Sequence, residues 1–98
     1  MSDVSRIHQF TRTIELMKLA GVEGREEHLG GGIMGVFVDY PTTQFYALIT
    51  ESEEGPGYAL GIYWGDPEQL GAMGDTPLEF HGQMRLSQVI TRLKGLPT

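Results

Sequence analysis

The sequence predicts an α+β fold, an antiparallel meander of three to four strands packed with an N-terminal and a C-terminal helix. Three observations predict it. Between Ile33 and Trp64 lie three runs rich in aliphatic and aromatic residues, IMGVFVDY, QFYALIT and YALGIYW, separated by the turn-forming segments PTT and ESEEGPG. Before and after that block, apolar residues recur at helical spacing. The chain has 98 residues, enough for a single domain spanning residues 1–98 and a single core.

The first helix is predicted from Asp3 to Ala20. Val4, Ile7, Phe10 (or Thr11), Ile14 and Met17 fall on one stripe, and Leu16, Leu19 and Ala20 widen it. Ser2 or Asp3 can cap its start and Gly21 can end it. Such a helix is about 25 Å long, and a seven-residue strand about 23 Å, so the helix can lie along a strand and cover one sheet face. The following segment, VEGREEHLGGG, reads as a polar loop that ends in three glycines.

Each strand of the meander carries apolar residues on both faces. Met34, Val36, Val38 and Tyr40 alternate with Ile33, Gly35, Phe37 and Asp39. Phe45, Ala47 and Ile49 alternate with Gln44, Tyr46, Leu48 and Thr50, and Tyr58, Leu60, Ile62 and Trp64 with Ala59, Gly61 and Tyr63. The face with Tyr46 and Tyr63 is expected to be the less buried one, because a tyrosine carries a polar handle. It is either a contact surface or the seat of the C-terminal helix.

After Trp64, the run Asp66-Pro67-Glu68-Gln69 has the form of a capped helix start, and Gly71 and Gly74 keep it short. Leu78-Glu79-Phe80-His81 alternates and predicts a short fourth strand, with weaker alternation onward through Gly82, Met84 and Leu86. The last helix is marked by Leu86, Val89, Ile90 and Leu93 and stopped by Gly95 and Pro97.

Composition excludes several classes. Seven basic and thirteen acidic residues give a net charge of -6. Nucleic acid and anionic membranes need a basic patch, so neither is expected as a partner. No apolar run is long enough to span a bilayer. The sequence MSDVSRIHQF lacks the apolar core of a signal peptide, and cysteine is absent. The expected location is the cytoplasm.

No motif fixes a reaction. The glycines Gly30, Gly31 and Gly32 precede a strand rather than a helix, with no Gly-Lys-Ser/Thr after them, so a flexible lead-in outweighs a phosphate loop. His8, His28 and His81 have no paired ligand spacing, so no metal is expected. There is no nucleophile elbow, and Glu51, Glu53 and Glu54 sit in a turn where carboxylates are solvated rather than tuned for acid chemistry. No cofactor is implied.

The residues instead suggest a small non-enzymatic protein-binding module that inhibits or regulates another protein. Phage accessory and immunity proteins of similar size supply an analogy only. The candidate contact residues are Tyr40, Tyr46, Tyr63, Trp64 and Asp66, in which a tryptophan at a strand end stands beside a helix cap. Glu51, Glu53 and Glu54 join them as an acidic tip for a basic partner. The plain alternatives are a packed tryptophan and a solvated turn. A homodimer through a sheet face or edge is expected, since both faces carry apolar residues. The competing functions are a small-ligand, nucleotide-like binder and an enzyme of unrecognised type.

Overall fold

The computed structural model describes residues 10–30, 32–65 and 77–97. Its elements are α1 (Thr11–Leu19), β1 (Arg25–Gly30), β2 (Ile33–Tyr40), β3 (Phe45–Glu51), β4 (Tyr58–Trp64), β5 (Glu79–Met84) and α2 (Leu86–Lys94). The strands form one antiparallel sheet in the order β1-β2-β3-β4-β5. The expected caps Ser2 and Asp3, the core residue Ile7, and His8, Gly31 and the Asp66–Gln69 helix start lie outside the described residues.

The α+β class and the three central strands agree with the sequence reading, but the sheet has five strands. The extra one is β1, in the segment read as a polar loop. Its residues REEHLG show no apolar alternation, because β1 is a sheet edge. Charged side chains on an edge strand discourage pairing with other chains. At the β1–β2 hairpin, Gly30 pairs with Ile33 and Gly32 stands at φ 78°. The expected fourth strand is β5, and it runs to Met84 with a register shift between the Leu60–His81 and Tyr58–Met84 pairs.

Helix α1 ends as a Schellman motif. Gly21, at φ 93°, donates its N–H to Lys18 O, and Val22 donates to Met17 O. That turn carries Val22 back into the core beside Met17. The buried stripe of α1 is Phe10, Thr13 and Met17, with Ile14 half-buried. Leu16 and Leu19 do not widen it as expected, and Leu19 is 86% exposed. Glu26 on β1 accepts the Phe10 N–H at 3.1 Å, tying the start of α1 to the sheet edge.

Both helices lie on one sheet face. Phe10, Met17 and Val22 from the α1 region, and Val89, Leu93 and Leu96 from the α2 region, form one cluster with Val36, Val38, Ala47, Ile49, Leu60 and Ile62. The α2 stripe is the one expected from sequence. Gln88 Oε1 accepts the Arg85 N–H at 2.9 Å at the start of α2, as in a capping box.

The opposite face carries a second cluster of Phe37, Tyr46 and Leu48, with Tyr63 packed against it. Here the stack runs across three strands. Tyr46 lies 5.8 Å from Phe37 and 5.1 Å from Tyr63, ring centre to ring centre. Arg25 extends it, its guanidinium 4.8 Å from the Phe37 ring centre. Gly61 makes room for the Tyr63 ring, which lies 3.0 Å from where a Cβ would stand. Apolar residues on both strand faces thus serve two separate clusters.

Candidate protein-binding surface

The structure divides the contact residues suggested by sequence among three places. Tyr40 and Trp64 lie near the turn between β2 and β3. Tyr40 is half-buried against the helix-side cluster and donates its hydroxyl to Leu93 O at 3.4 Å. Burial raises its phenol pKa. Trp64 is 56% exposed, and its indole N–H donates to Thr43 O at 3.1 Å. Tyr46 and Tyr63 belong to the second cluster instead. Tyr46 is 0% exposed and offers no surface, and Tyr63 is half-buried. Asp66 lies outside the described residues.

Glu53 and Glu54 lie in the β3–β4 turn and Glu51 ends β3 on the helix-side face, all at the far end of the sheet. Phe45 pairs with Trp64 at one end of β3 and Glu51 with Tyr58 at the other. The intervening strand length is about 20 Å. Trp64 and the acidic turn therefore do not form one rim.

Nor does the acidic turn project freely, because it is fastened to β5. Ser52 N–H donates to Gly57 O at 3.1 Å, and Ser52 Oγ donates to Gly82 O at 2.7 Å. The same Oγ accepts the Glu54 N–H at 3.1 Å. From the strand side, Gln83 Nε2 donates to Pro56 O at 2.9 Å. The Glu54 carboxylate lies over Gly82, where a Cβ would collide with Oε2.

Sequence reasoning missed the residues that strand β5 and its lead-in present. Leu78 is 66% exposed and Phe80 62%. Phe80 pairs with Gly61, so it extends the face of the second cluster beyond Tyr63. The alternation of Leu78-Glu79-Phe80-His81 had located this strand. Nothing in the pattern said that both described helices would choose the other face.

On the helix side of β5, Glu79 is bound at two points by Arg92 of α2. The distances are 2.7 Å from Nε to Oε2 and 2.8 Å from Nη2 to Oε1. His81 Nε2 lies 2.6 Å from the same Oε2. The Arg92 hydrogen bonds, followed by that of His81, hold the Glu79 carboxyl down at about 2. The pairing raises the Arg92 pKa in turn. A carboxylate so engaged clasps α2 to β5.

Among the described residues, no group of three or more His, Asp or Glu side chains is placed to hold a metal ion. No described helix is long and apolar enough to cross a membrane. Compared with known proteins, the chain matches no family model, and no curated protein or solved structure matches it.

Proposed function

We propose that this chain is a non-enzymatic protein-binding module that inhibits or regulates its partner, and that it docks through the β5 side of the second sheet face. The observation that carries the reading is the pair Leu78 and Phe80. Both are large, apolar and mostly exposed, and they stand two residues apart at a sheet edge. Covering apolar surface recovers about 25 cal/mol per Å². An edge strand also offers backbone groups for an added strand. A chain without cysteine suits a reducing cytoplasm. The same edge supports a second reading, pairing with another copy of the chain.

Affinity capture with the wild-type chain and a Leu78→Ser/Phe80→Ser variant tests the proposal. The expected result is a bound protein retained by the wild type and lost by the variant, with both chains folded by circular dichroism. Equal capture by the two chains overturns the assignment of the surface. Sedimentation at micromolar concentration tests self-pairing, which requires twice the 10.8 kDa chain mass.

A further inference from the structure

We infer that the β5 surface recognises an extended segment of the partner with two apolar side chains and a lysine or arginine at alternate positions. The inference rests on the binding reading above and adds the chemistry of the partner. Phe80, paired with Gly61, lies on the second-cluster side of β5, with Leu78 in the lead-in before it and Gly82 beyond it where the register shifts, while Glu79 and His81 pair with Ile62 and Leu60 of the helix side. Leu78 and Phe80 supply apolar surface. Gly82 supplies none, and the Glu54 carboxylate occupies the place of its missing side chain. The strip therefore presents apolar, apolar and acidic groups in succession along β5 and its lead-in. An extended peptide laid along the edge brings alternate side chains to the same side, and so can offer them to the three groups in turn.

The backbone that carries the acidic group is held in place. The Glu54 N–H donates to Ser52 Oγ, and Ser52 is anchored to Gly82 O. Among the described residues no cation forms an ion pair with Glu54, whereas Glu79 is neutralised by Arg92. Glu53 is exposed on the same turn and deepens the negative field.

The same layout disfavours a second copy as the occupant. Antiparallel pairing of two β5 strands about Phe80 sets the Glu54 carboxylate of each copy against Leu78 of the other. Parallel pairing sets Glu54 against Glu54. Neither orientation gives the carboxylate a cation, and the net charge of -6 on each chain opposes both.

The test is selection of a random linear heptapeptide library, displayed on phage, against the folded chain. Enrichment of peptides with two apolar residues and a Lys or Arg at alternate positions is expected. Glu54→Gln should keep the apolar preference and lose the basic one. It should also weaken a synthetic peptide of the selected sequence about three- to fivefold at low salt, the size of an exposed ion pair. Gly82→Ala, which displaces the carboxylate, should do the same. Enrichment of apolar peptides with no basic preference overturns the inference and leaves the binding surface standing. Enrichment unaffected by Phe80→Ser overturns both, as does no enrichment at all. A wild-type dimer broken by Phe80→Ser makes a second copy the occupant and overturns the inference.

Discussion

Arg92 grips Glu79 with both prongs of its guanidinium, and so joins the last turn of α2 to the edge strand β5. The two residues are thirteen positions apart. Few other side-chain hydrogen bonds link α2 to the sheet among the described residues, so this pair bears much of the polar tether between them.

The pair sets an acid limit on stability. The folded-state pKa of Glu79, about 2, lies below its ordinary value of 4.5. Its contribution is therefore complete above about 4.5 and lost as pH falls toward about 2. Because both groups are partly solvated, that contribution is on the order of 1 kcal/mol. Arg92→Met should remove it and return the Glu79 carboxyl toward the ordinary range. Carboxyl carbon shifts followed by NMR across that window check both, and an unchanged Glu79 titration in the variant refutes the assignment.

Met17 is fully buried and Ile14 half-buried, so the two substitutions rank in that order. Met17→Ala should cost ~2–5 kcal/mol and Ile14→Ala less. Urea midpoints measure the ranking, and a reversed order would move the helix stripe around its axis.

The second cluster is a smaller core of Phe37, Tyr46 and Leu48. Tyr46→Ala removes the middle ring of the stack and should cost about 3–5 kcal/mol. Against a total stability of about 5–10 kcal/mol that leaves little. A near-native melting temperature for this variant contradicts the burial of Tyr46.

The hydroxyls of Thr13 on α1 and Tyr58 on β4 meet at 2.8 Å. A double-mutant cycle with Thr13→Val and Tyr58→Phe should return a coupling of about 0.5–1.5 kcal/mol. Zero coupling would place α1 differently on the sheet.

A chelator should leave the melting temperature unchanged, since no metal-ligand group of three occurs among the described residues. A fall with EDTA points to a metal site that includes residues outside those described.

Where burial imposes a period, the sequence was legible. Strands β2, β3 and β4 and the α2 stripe of Leu86, Val89, Ile90 and Leu93 appear where the pattern put them. Strand β1 was not legible, because Arg25, Glu26 and Glu27 sit at an edge where pairing to β2, not an apolar face, makes the strand. The contact surface was harder still. Periodicity identifies which residues share a face and says nothing of which face a helix will cover. Tyr46 looked like a surface residue because tyrosine tolerates water, yet its neighbours Phe37 and Tyr63 enclose it. Fastening of the acidic turn to β5 depends on Ser52 meeting Gly82, residues thirty positions apart with no local signature.

The strand order bears on kinetics as well. Every strand in the sheet pairs with its neighbour in the chain, and Pro41–Gln44 and Ser52–Gly57 are all that separate β2, β3 and β4. Short closures cost little chain entropy, so these three strands can zip together before anything distant arrives. Docking α1 and α2 against the same face is then the long-range step, since the helices lie at opposite ends of the sequence. That makes the central meander the expected nucleus. Substitutions in Ala47 or Ile49 should slow refolding, while those in Met17 should chiefly hasten unfolding.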